Sequence, residues 1–85
     1  MSKYRVSEQI RNNLKQKGKR FWAGDNIAEY ITDEVKEQLI DEATLAFEQV
    51  LDTLLIDREE DPNSQGTARR LAKMYFNEIM AGRYD

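Results

Sequence analysis

Neither cysteine nor histidine occurs anywhere in these 85 residues. Their absence excludes disulfides, thiolate chemistry, a Cys/His zinc site and the commonest general base. Carboxylates, lysines and tyrosines are left as the candidates for proton chemistry. Proline is nearly missing too: Pro62 stands alone, and with four glycines the chain is free to form long uninterrupted elements. No apolar run approaches the ~20 residues of a membrane span. The opening MSKYRVSEQI has no stretch resembling a signal peptide either. These absences point to a cytoplasmic protein without a membrane partner.

What is present suits a soluble helical protein, with 40% hydrophobic and 34% charged residues. A chain this short buries only about 60–65% of its unfolded surface, so its own core is marginal and help from a second chain is expected. Net charge is −3, unevenly spread. Residues 1–20 hold seven bases (Lys3, Arg5, Arg11, Lys15, Lys17, Lys19, Arg20) against Glu8; residues 21–62 hold thirteen acids against Lys36 and Arg58. Arg69, Arg70, Lys73 and Arg83 then face Glu78 and Asp85. This layout reads as complementary helix faces, within or between chains. A basic arm for nucleic acid is disfavoured, since no aromatic-interleaved stripe accompanies it and the acidic middle repels phosphate.

The expected fold is all-α: a short N-terminal helix followed by a long antiparallel helical hairpin. Val6, Ile10 and Leu14 mark a narrow stripe on a polar helix over about Ser7 to Gln16, and Gly18 is a natural stop. Phe21 and Trp22, in the linker KGKRFWAGDN, are expected to anchor that loop to the core. Together these form a first region, residues 1–24; the hairpin occupies 25–85. Asn26 with Glu29 resembles a capping box opening a short turn, Ile27 to Ile31. Thr32 is an N-cap, with Asp33 and Glu34 where the helix dipole favours negative charge. Apolar positions from Val35 to Leu55 recur at steps of three and four, which predicts a helix over about 33–56.

DREEDPNSQG is then a loop. Asp61, Asn63, Gln65 and Gly66 match the early positions of a calcium loop, but its obligatory closing Glu is Ala72, so the loop is read as a connector. Thr67 is the expected N-cap of a last helix, about 68–81, ending before Gly82. Leu71, Met74, Tyr75, Ile79 and Met80 form its apolar side, with Met74, Tyr75 and Ile79 expected against Phe47, Val50 and Leu54. Arg69, Arg70 and Lys73 crowd its first two turns, where the dipole disfavours cations. Arg70 and Lys73, three apart, share a face. Two readings remain open at this point: pairing with acids of the long helix such as Glu48 or Asp52, or tolerance because an anion binds there.

The stretch LLIDREEDPNSQGTARRLAKMYFNEIMAGRYD resembles the N-terminal helical region of GTP cyclohydrolase I. That family carries a T-P-x-R-x-A-K-M helix followed by a [DN]-E-I-F-x-G-like segment. The matching positions are Thr67, Arg70, Ala72, Lys73, Met74, Asn77, Glu78, Ile79 and Gly82, strongly over 51–85 and loosely before that. The family's proline after the cap threonine is Ala68 here, which costs only some preorganisation. The resemblance implies that Arg70 and Lys73 face the triphosphate of GTP, positioning and neutralising it rather than making bonds. It also implies a catalytic domain whose Cys and His residues hold zinc, with active sites between subunits. Asp85 falls about where that domain would begin. The expectation is therefore a truncated or split helical part of the enzyme. Such a part carries no catalytic residue, metal ligand or cofactor of its own, and is inactive alone. Its partners are further copies of itself or a catalytic half, and GTP only at a completed site. The complete enzyme converts GTP to formate and dihydroneopterin triphosphate, a precursor of tetrahydrofolate and deazapurines. The alternative is a stand-alone helical regulator, derived from the enzyme, that binds a complete cyclohydrolase or self-associates.

Overall fold

The structure, a computed structural model, describes residues 5–85. Three helices account for most of it: α1 (Arg5–Gln16), α2 (Asp33–Thr53) and α3 (Thr67–Met74). Among the described residues there is no strand, as the all-α expectation required. A 3-10 turn, Ala28–Tyr30, precedes α2, and a second, Pro62–Ser64, precedes α3. Lys3, one of the N-terminal bases, lies outside the described residues. No helix among those described is long and apolar enough to cross a membrane.

Local chemistry explains most boundaries. The Thr32 hydroxyl accepts from the Val35 N–H at 3.1 Å and opens α2. Asn26 does not make the expected box; its carbonyl oxygen accepts from the Ala28 N–H at 2.7 Å, an Asx turn into the 3-10 segment. Gly18, at φ +66°, ends α1 in a left-handed residue. The surprise is the end of α2. It stops at Thr53, before the expected Ile56, because Leu55 takes φ +64°. The Leu55 N–H donates to the Asp52 carbonyl and the Ile56 N–H to that of Leu51, a Schellman closure built without glycine.

Thr67 is not the cap of α3. Gly66, at φ +74°, occupies that place, and Thr67 already lies in the first turn. The chain passes from the 3-10 turn into the helix through this left-handed residue, a conformation glycine adopts without strain. Asp61, from the rejected calcium pattern, accepts from the Asn63 N–H at 2.9 Å and so caps that turn. Beyond Met74 the helix widens into a π-type turn, Tyr75–Ile79, where the Met80 N–H reaches the Tyr75 carbonyl at 2.9 Å.

α2 and α3 form the antiparallel hairpin. Ser64, Gly66 and Ala68 lie beside Glu48 and Leu51, whereas Phe76 lies beside Leu39 and Ala43. α3 buries Ala68 and Ala72, and Phe76, four residues on, is half-buried. This corrects the expected packing. Tyr75 does meet Phe47, with ring centroids 5.4 Å apart. Val50, Leu54 and Ile79, however, stay 50%, 63% and 54% exposed. Small alanines let the two backbones approach, and that helix phase turns the larger apolar residues to the flank.

A second apolar centre joins α1 to the hairpin. Leu14, Ile27 and Ile31 are buried there, surrounded by Ile10, Phe21, Tyr30, Val35, Leu39 and Tyr84. Phe21 anchors its loop as expected. Trp22 does not: it is 69% exposed, with the Arg20 guanidinium 4.3 Å above its ring.

Candidate anion-binding groove

Cations of the C-terminal half separate into two groups. Arg58 binds Asp52 and Glu48, at 2.7 and 2.6 Å. Arg69 binds Asp41 at 2.7 Å and Glu37 at 3.4 Å. Hydrogen bonding to Asp52 and to Asp41, respectively, holds both guanidiniums above the ordinary arginine pKa. The acids once considered for Arg70 and Lys73 are thus taken by Arg58. Arg83 points elsewhere, into backbone carbonyls of the Phe21–Asp25 loop.

Arg70 and Lys73 are left exposed, and no carboxylate among the described residues pairs with either. The Arg70 side chain is nonetheless held. Its Nη1 donates to the Gln65 carbonyl at 3.3 Å and its Nη2 to the Thr67 hydroxyl at 3.2 Å. A β-carbon at Gly66 would stand 3.5 Å from Nη1, an ordinary contact, so it is the φ of +74° rather than space that favours glycine there. A guanidinium tethered by neutral acceptors keeps its full charge and part of its fork for an incoming anion.

The two cations lie on an open groove of about 310 Å³ that Met74, Asn77 and Glu78 complete. Residues 70, 73, 74 and 77 follow the spacing of one helix face, so this lining was legible from periodicity. Reasoning from the sequence nevertheless assigned only the cations to a site. Glu78 makes the groove bipolar, positive at the Arg70–Lys73 end and negative at the other.

The zinc implied by the resemblance has no ligand set in this chain. There is no Cys or His in the sequence, and among the described residues no three acidic side chains converge. No chemical step through a metal is therefore assigned to these residues. Compared with protein-family models, with curated proteins and with solved structures, the chain matches none. Its class rests on its own features: a small all-α protein with a paired-cation groove on an exposed helix face.

Proposed function

We propose that this chain is the helical part of a GTP cyclohydrolase I and that Arg70 and Lys73 are one wall of its triphosphate site. The observation that carries the reading is the sorting of cations: Arg58 and Arg69 are satisfied by carboxylates, whereas the two motif positions are not. Arg70, in the first turn of α3, opposes the helix dipole and has no carboxylate to offset it, while Lys73 lies one turn further along the same face. An anion relieves that conflict and gains charge-assisted hydrogen bonds. The role is positioning; ring opening belongs to a domain bearing the Cys and His that this sequence lacks.

The test is titration with inorganic triphosphate, then GTP, followed by NMR on the Arg70 and Lys73 side chains. Weak, salt-sensitive binding is expected at these residues. Arg70→Ala and Lys73→Ala should each weaken it, and Arg69→Ala should not. Binding that survives the Arg70→Ala/Lys73→Ala double variant, or that maps to the Lys15–Arg20 segment, overturns the proposal.

A second reading, a helical regulator that docks on a complete cyclohydrolase, is favoured by the exposed apolar residues Val50, Leu54, Leu55 and Ile79. Co-elution with a full-length cyclohydrolase, together with altered turnover, would select it. Restored activity on mixing with a separately made catalytic half would select the first.

A further inference from the structure

We propose that the hollow between α1 and the hairpin is a binding site for a small aromatic carboxylate, its ring among apolar side chains and its charge on Arg11. Four separate parts of the chain enclose this space of about 210 Å³. One face of α1 supplies Ser7, Ile10, Arg11 and Leu14, which follow the three- and four-residue spacing of a helix. Ile27 and Ile31 enter from the segment before α2, and Leu39 from α2 itself. Phe21 closes one side. Phe76 and Tyr84, with ring centroids 4.6 Å apart, form the remaining wall.

Size selects one half of the ligand. A dry apolar cavity of about 150 Å³ accommodates benzene, so this one holds a ring and a short linker. Leu14, Ile27 and Ile31 are buried against it, whereas Ile10, Phe21, Leu39, Phe76 and Tyr84 keep part of their surface in water. A bound ring would remove that surface from solvent, the usual driving force at a mostly apolar pocket. Arg83 holds the Phe21 carbonyl and so fixes one wall in advance, which lowers the entropy lost on binding.

Charge selects the other half. Among the described residues that line the hollow, Arg11 and Arg83 carry the formal charge, both positive. Arg83 commits both terminal nitrogens to the carbonyls of Phe21, Trp22 and Asp25. Arg11 is exposed and has no ion pair among the described residues. The acids around it do not compensate it. Glu8, one turn earlier on α1, is neither in the lining nor bridged to Arg11. Asp25 is bound by Arg20 and Asp85 by Lys36. Glu42 lines a second hollow, of about 170 Å³, which shares Ser7, Leu39 and Phe76 with the first but not Arg11. That carboxylate makes its own side unfavourable to an anion and directs the ligand's charge to Arg11. The site contains neither Arg70 nor Lys73 and stands independently of the triphosphate reading.

Hydrocinnamate is the probe, followed by NMR on the methyl groups of Ile10, Leu14, Ile31 and Leu39 and on the Arg11 side chain. Saturable shifts at these residues are expected, with a Kd on the order of millimolar or tighter. Hydrocinnamyl alcohol, which is neutral, should bind at least about fivefold more weakly, the scale of a partly exposed charge pair. Arg11→Gln, at an exposed position, should bring the acid to the level of the alcohol. Leu39→Phe, checked for helicity by circular dichroism, fills the hollow and should abolish binding of both. Inorganic triphosphate should not displace the probe. Four results overturn the proposal: no saturable shifts up to the solubility of the acid, an acid that binds no better than the alcohol, unchanged affinity in Arg11→Gln, or displacement by triphosphate. Shifts that map instead to Arg70 and Lys73, or to the flank of Val50, Leu54 and Ile79, would place the probe elsewhere and equally overturn it.

Discussion

Nη1 of Arg83 donates to the carbonyl oxygen of Trp22 at 2.6 Å, across 61 residues of sequence. The same nitrogen reaches the Asp25 carbonyl at 2.9 Å, Nη2 reaches that of Phe21 at 3.1 Å, and the Ile27 N–H returns a bond to the Arg83 carbonyl at 2.7 Å. One planar guanidinium thus organises a loop with no regular structure of its own. Arg83→Ala should destabilise the protein by about 2 kcal/mol, the scale of hydrogen bonds to a charged donor. That corresponds to a fall in Tm of roughly 8–16 °C for a domain of this size. Arg83→Lys should recover little, because a single ammonium cannot reach carbonyls on both sides. Thermal melts followed by circular dichroism decide this, with unchanged melting in Arg83→Ala as the contrary result.

Leu55 carries a conformational penalty with little side-chain burial to offset it. It has φ +64° and is 91% exposed. Leu55→Gly should therefore stabilise the fold by about 1 kcal/mol, the usual penalty of a side chain in the left-handed region. Denaturant unfolding measures this.

Acid sensitivity follows from two aspartates. The hydrogen bond from Arg20 holds the Asp25 carboxyl below the ordinary aspartate pKa, and the one from Arg58 does the same for Asp52. A depressed native pKa means that the folded chain binds fewer protons than the unfolded one. The stabilisation is complete above the ordinary carboxylate range and is lost as pH falls through it to the native values. Carboxyl-carbon NMR titration should place both midpoints below the ordinary value. Arg58→Ala should return Asp52 toward that value while leaving Asp25 where it is.

The long helix was legible because the apolar periodicity and a threonine cap agree about α2, and agreement across levels is what a sequence can express. Its true end was not, since Leu55 adopts a glycine conformation without the glycine that would announce it. The packing of α3 was misread for a related reason. Leu71, Met74 and Ile79 dominate any count of hydrophobicity, yet Ala68 and Ala72 face α2, because closeness of approach, not side-chain size, sets the seam. That rotation of α3 also decides which cation meets which acid. Arg69, not Arg70, therefore reaches Asp41, and sequence alone left the pairing open. Trp22 defied the expectation of burial because Arg20 and the Arg83 clamp hold the loop with the ring outside.

The start of α1 is held by a carboxylate from another helix. Glu42 of α2 accepts from the backbone N–H groups of Val6 and Ser7, at the start of α1. It thereby works as a cap supplied from outside the helix, and its charge suits the positive end of the α1 dipole. α1 is polar apart from Val6, Ile10 and Leu14, so its apolar stripe is narrow. Glu42→Gln keeps an acceptor and loses the charge, and should cost roughly 0.5 kcal/mol; Glu42→Ala loses both and should cost about 1–2 kcal/mol. The effect should be local. Amide hydrogen exchange should accelerate first at the amides of the opening turns of α1, while α2 and α3 keep their protection. Equal acceleration throughout would mean that α1 and the hairpin unfold as one unit, and that Glu42 supports the whole molecule rather than one docked helix.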